Sequence, residues 1–159
     1  MSNFKELRTQ DISHGTIADT FTNEAVIDLT SPATRIVTSF TQTSPMRAAF
    51  DTTIEQASKQ LNTQPSDFIL VTDEHQKLIG IVASADLQSS KIMILSQRLG
   101  LPRSEISLRY LMTPLSNLMG VSMKSLSYSC IGDALQTMEH HGAMFILVTA
   151  ANNEISGLI

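Results

Sequence analysis

The chain has 159 residues, 42% of them apolar and only 16% charged, with a formal charge of −4. That charged share is well below the quarter or so of an ordinary soluble domain, and 35 serines and threonines fill part of the gap. The balance excludes a charge-driven disordered chain, and it excludes a global positive field that would recruit nucleic acid or anionic lipid.

Residues 1–20 are polar, carry acids at Glu6 and Asp11, and contain no apolar run. They read as an irregular or short helical arm rather than a signal peptide. The longest apolar stretches, Phe68–Val71, Leu78–Val82 and Ile92–Leu95, are far shorter than the roughly 20 residues of a membrane span. The lone Cys130 has no internal disulfide partner, so a reducing, cytoplasmic location is expected, with no membrane and no nucleic-acid partner.

A short apolar stretch at Ile36–Phe40 precedes a helix, for which Asp51 or Thr52 is the expected cap and Ile54, Ala57 and Leu61 the apolar stripe. An apolar strand at Phe68–Thr72, a polar turn at Asp73–Lys77 and a second strand from Leu78 read as a β-hairpin. Asp86 then opens a helix running to Leu99, stopped by Gly100 with Pro102 beyond. Ser104–Leu111 reads as a further short helix. After Leu118–Val121 comes a helix capped by Ser129, with Ile131, Ala134, Leu135 and Met138 as its stripe and Gly142 as its stop. Met112, Met119, Met123, Met138 and Met144 are expected to fill the core.

Sliding the sequence by 77 residues lays Ile54–Val82 on Ile131–Ile159 without a gap. Eight of the 29 positions are identical, including Phe68-Ile69-Leu70-Val71-Thr72 on Phe145-Ile146-Leu147-Val148-Thr149 and Gly80 on Gly157. Ser31-Pro32 and Thr113-Pro114 read as matching entries to the two copies, preceded by Leu29 and Leu111. The expected fold is therefore α/β (α+β), two pseudo-symmetric β-α-β-β-α repeats packed sheet to sheet, each too small to bury a core alone. The expected divisions are an arm at 1–20, a first repeat at 21–100 and a second at 101–159. The second lacks the helix that follows the hairpin of the first, which predicts a fragment whose apolar surface near Leu158 and Ile159 is exposed or covered by a neighbour.

Two copies of helix, apolar strand, polar turn and Gly-Ile-Val followed four residues later by Asp, with Leu-Met-Thr-Pro at 111–114 before the second copy, resemble a tandem pair of cystathionine-β-synthase (CBS) domains. The resemblance spans roughly residues 24–159. It implies a regulatory, non-catalytic module that dimerises and binds an adenosyl ligand of the AMP, ATP or S-adenosylmethionine class in a cleft between repeats; no Cys/His cluster has the spacing of a metal site. On the segment Gly80-Ile81-Val82-Ala83-Ser84-Ala85-Asp86 it implies that Asp86 accepts hydrogen bonds from the ribose hydroxyls, where a helix start favours a carboxylate. The family's hydroxyl position is Ala83 here, a departure that costs a phosphate-side contact. It also implies an adenine wall from the partner repeat, at Thr113 with the apolar stretch after it and at Gly142-Ala143-Met144, and it counts Ile81 among the ligand-binding residues. Arg103 could reach a phosphate in the same cleft, but a solvated loop arginine is the plainer reading of it.

Other readings stay open. Asp86 serves equally as a plain first-turn acid, and a ligand-free dimerisation scaffold of the same fold is the main alternative. An unrelated small α/β enzyme is a further one, although no convergent acid, base and nucleophile set is visible. His140 and His141 are adjacent on a helix and face different directions, so with Glu139 they do not make a metal site. Cys130 and His140 are about 15 Å apart along one helix, too far for a nucleophile and its base.

Overall fold

The computed structural model describes Ser13 and residues 26–159. The arm expected over residues 1–20 lies, apart from Ser13, outside the described residues.

In chain order the elements are β1 (Thr38–Ser39), β2 (Met46–Ala49), α1 (Ile54–Thr63), β3 (Phe68–Thr72), β4 (Leu78–Ala83), α2 (Ser90–Leu99), α3 (Leu108–Leu111), β5 (Thr113–Pro114), β6 (Met119–Ser122), α4 (Met123–Leu126), α5 (Ile131–His141), β7 (Ile146–Thr149) and β8 (Ile155–Leu158). They form two four-stranded sheets, ordered β2-β3-β4-β5 and β1-β8-β7-β6. In each sheet a parallel pair sits beside an antiparallel hairpin. The sheets pack face to face through Phe68, Leu70, Ile81, Leu147 and Leu158. Phe68 stacks obliquely on Phe40 and edge-on against Phe145, with centroids 6.1 and 6.4 Å away.

The repeat is real in three dimensions, and its equivalences run deeper than the 77-residue match. β5 pairs with β4 through Thr113 opposite Ile81, and β1 pairs with β8 through Thr38 opposite Leu158. Each repeat thus lends its entering strand to the other repeat's sheet. Gly80 and Gly157 lie where these strands cross: a Cβ would stand 2.8 Å from the Thr113 carbonyl oxygen at the first and 2.8 Å from that of Thr38 at the second. Only glycine admits so close a backbone.

This pairing corrects the matching of Ser31-Pro32 with Thr113-Pro114, and of Ile36–Phe40 with Leu118–Val121. Thr38 is the counterpart of Thr113. The counterpart of Ser31-Pro32 is Ile106-Ser107. The Ser31 carbonyl accepts the Ile131 N–H at 2.9 Å as the Ile106 carbonyl accepts that of Ile54 at 3.0 Å, and Pro32 bridges Cys130 as Ser107 bridges Thr53. Strand β6 matches β2, which carries one buried face in Met46 and Ala48 and is too short to announce itself by alternation.

Other expectations shift by small amounts. The caps fall one residue later than expected. Thr53 Oγ1 accepts the Gln56 N–H while Gln56 Oε1 accepts that of Thr53, and at the matching positions Asp133 accepts the Cys130 N–H at 2.9 Å. Gly100 and Gly142 end their helices in the left-handed conformation, as expected. The helix expected from Asp86 is a 3₁₀ turn, Ser84–Gln88, followed by α2 from Ser90, because Ser89 breaks the run and caps the second piece through the Lys91 N–H. Ser104–Leu111 is likewise split, since fully buried Ile106 is extended and pairs its carbonyl with α1. Leu158 is buried between the sheets rather than exposed. Met123 and Met144 are exposed, and the fully buried methionine is Met46.

Candidate functional site

Strand β4 ends at Ala83, directly opposite Phe68 at the start of β3. Past that point the chain stays tied to β3: the Ser84 N–H donates to the Asp67 carbonyl at 2.9 Å, and the Ser84 hydroxyl donates to the Ser66 carbonyl. The strand alternation therefore aims Ser84 at the neighbouring backbone and away from Ala83's side. Asp86 follows in the 3₁₀ turn. Its side chain is one-fifth exposed, and its Oδ2 accepts from Lys91 Nζ at 3.1 Å, the sole ion pair among the described residues.

A cleft of about 440 Å³ opens beside this end of the hairpin. Thr38 from the exchanged strand, Ser44 and Pro45 before β2, and Ser66, Asp67 and Phe68 at the mouth of β3 line it. Both sheets contribute, because Thr38 of the first repeat pairs into the second repeat's sheet, while every lining residue lies between positions 38 and 68. Asp67 supplies the one charged side chain among its described lining residues, and no lysine or arginine lines it. Arg103 is directed elsewhere, donating from Nη2 to the Leu87 carbonyl at 3.3 Å.

The structure brings some of the expected site residues together and keeps others apart. Ile81, Ala83 and Asp86 follow one another along β4 and the turn; Ile81 is 1% exposed and packs between the sheets. Thr113 is exposed on β5 with its backbone paired to Ile81. Gly142 is the left-handed end of α5, Ala143 donates its N–H to the Met138 carbonyl, and Met144 is 63% exposed. None of the seven expected residues lines this cleft, Ile81, Ala83 and Asp86 included, and the last four sit in the second repeat. They are the second repeat's equivalents of residues that do: Gly142, Ala143 and Met144 stand 77 residues after Pro65, Ser66 and Asp67, and Thr113 matches Thr38. Thr38, Ser44, Ser66 and Asp67 escaped the sequence reading. The 77-residue shift, run backwards from Gly142–Met144, points to three of the lining positions.

Residues 37–90 match the family model described as CBS domain. That segment is similar to a CBS domain, and the chain has the fold of a CBS-domain pair. Similar solved structures include an uncharacterised conserved protein from Pyrococcus horikoshii, 20% identical with a TM-score of 0.58, the match covering 84% of this chain and 88% of that one. A CBS-domain pair solved with 5′-methylthioadenosine and S-adenosyl-L-methionine is 19% identical at a TM-score of 0.52, over 81% of this chain and 92% of its own. The protein CBSX2, solved in complex with AMP, is 17% identical at a TM-score of 0.52, over 81% and 89%. At these identities the likeness establishes the fold. No curated protein matches the chain in sequence. Among the described residues of the CBS pair, no helix is long and apolar enough to cross a membrane, and no group of three or more His, Cys, Asp or Glu is placed to hold a metal.

Proposed function

We propose that the chain is a regulatory CBS module, cytoplasmic and non-catalytic, that binds an adenosyl ligand in the cleft beside Asp86. The carrying observation is the composition of that cleft: the exchanged strand at Thr38 meets the mouth of β3 there over Phe68, Asp67 is its one charged lining residue, and no lysine or arginine lines it; Asp86, two residues beyond the Ser84 that is tied to Asp67, is not a lining residue and carries Lys91. Such a lining suits a ribose diol and an adenine ring and gives little to a polyphosphate. A neutral or cationic ligand such as 5′-methylthioadenosine or S-adenosylmethionine therefore ranks above AMP, and AMP above ATP. Gly100-Leu101-Pro102 is the proposed boundary between repeats, and the working form is a homodimer.

Calorimetry with these four compounds tests the reading. Binding is expected at micromolar or weaker affinity. Asp86→Ala should abolish it without unfolding the protein, since the lost ion pair is a surface one worth at most about 1 kcal/mol. Ala83→Thr should tighten the nucleotides several-fold by restoring a hydroxyl near the phosphate. Unchanged affinity in Asp86→Ala would move the site elsewhere. The second reading, a ligand-free dimerisation scaffold, is favoured by Ala83 and by the Lys91 ammonium already on the Asp86 carboxylate. No heat with any of the four compounds would select it.

A further inference from the structure

At the opposite end of both hairpins from Asp86 lies a larger cleft, of about 920 Å³, between the two turns. Its walls are pseudo-symmetric: Gln76, Lys77 and Leu78 on one side face Asn153, Glu154 and Ile155, each 77 residues later, on the other. Gln76 and Asn153 are the two non-glycine residues with positive φ among those described, at 63° and 61°, so the two turns have the same shape. Leu70, Leu78, Ile155 and Phe40 form an apolar floor, continuous with the core between the sheets.

Charge is what breaks the symmetry. The first repeat's wall carries Arg47 and Lys77, whereas the second carries Glu154 opposite Lys77, and Gly120 in β6 matches Arg47 in β2. None of Arg47, Lys77 and Glu154 takes part in an ion pair among the described residues. Two cations that make no close ion pair, with Asp73 in the field of Lys77, therefore overlook a half-buried apolar floor, in a cavity of the size that small ligands occupy.

We propose that this cleft is a second binding site, for small amphipathic anions in which a carboxylate, sulfonate or phosphate is joined to an apolar or aromatic body. Arg47 and Lys77 hold the anion, and Phe40, Leu70, Leu78 and Ile155 receive the body. Glu154 opposes the anion and sets the affinity. The site is independent of the adenosyl cleft, which lies at the other end of the strands and has no lining residue in common with it.

Fluorescence titration of the whole chain with 8-anilinonaphthalene-1-sulfonate tests the proposal, with amide chemical shifts read in parallel. Saturable binding is expected, weakened about tenfold in the Arg47→Gln, Lys77→Gln double variant, which loses two exposed charge contacts. Glu154→Gln should tighten binding about twofold or more by removing the opposing charge, and Asp86→Ala should leave it unchanged. The three charged side chains are exposed and make no close ion pair, so these variants keep the fold. Shifts should gather at Arg47, Leu70, Lys77 and Ile155. Non-saturable binding, parental affinity in the double variant, weakening in Glu154→Gln, or shifts centred on Ser66–Phe68 would each overturn the site.

Discussion

The two repeats spell nearly the same strands and bury them differently. In the first, the outer face of the sheet is closed. Met46, Ile69, Val71 and Val82 are at most 1% exposed, and Leu87, Ile92, Ile106 and Leu108 join them in one continuous cluster. In the second, the matching face belongs to a smaller cluster of Ala33, Leu126 and Val148. Met119 and Ile159, the counterparts of Met46 and Val82, are only half-buried. A cavity of about 350 Å³ lined by Met119, Val121, Ala134 and Ile146 lies beside α5. A strand's burial is set by what is laid over it, and the same apolar letters carry different energies in the two halves.

The largest effect that would break this comparison comes from the cover itself. Ile92→Ala should cost about 3 kcal/mol in thermal or urea unfolding, by lost transfer energy plus a cavity that the closed cluster cannot collapse. Protection against hydrogen exchange should fall in β2 and β3 while β7 keeps its own. Equal loss in both sheets would mean that the repeats unfold as one unit.

A matched pair of truncations sharpens the contrast. Met46→Ala, in the closed cluster, should cost about 3 kcal/mol, and Met119→Ala, at the open cavity, about 1 kcal/mol. Equal costs would show that the open face is covered in solution.

The crossing strands should erase the difference. Gly80→Ala and Gly157→Ala each drive a Cβ to within 2.8 Å of a carbonyl oxygen of the exchanged strand. Each should cost about 2 kcal/mol, in the range of overpacked cores. A mild effect at one and a severe one at the other would argue against equivalent crossings.

The smallest expected effect is acidic. Asp133 is held below the usual carboxylate range chiefly by the Cys130 N–H, Asp73 by that of Lys77, and Asp28 by the Thr30 hydroxyl. Each folded pKa lies below the ordinary 3.8, so the stabilisation is fully present above that value and fades as pH falls through the folded pKa. Acid unfolding should steepen below about pH 4, and Asp133→Asn should blunt the dependence. An unchanged acid limb in that variant would place the titration elsewhere.

Asp86 and Ala83 could be read as site candidates directly, because Gly-Ile-Val followed by an acid is a local pattern. Their neighbours could not. Thr38 is two residues of strand with no periodicity, and it reaches the cleft only because β1 pairs with β8 near the other end of the chain. Asp67 looks like a loop acid until Ser84 is seen donating to its carbonyl.

What the residues alone decided is whatever acts within one turn or one hairpin: the helix stops at Gly100 and Gly142, the polar turn after Thr72, the apolar strands, and the repeat that displays them twice. These follow from backbone preferences and from burial patterns a few residues long. Only the tertiary structure decided the exchange of entering strands, the unequal burial of the two outer faces, and the lining of the cleft at Asp67. Those depend on which distant segments meet. Pairing energy there comes from backbone groups that every residue carries, so it leaves no mark in the letters except at Gly80 and Gly157, where the approach is too close for any side chain.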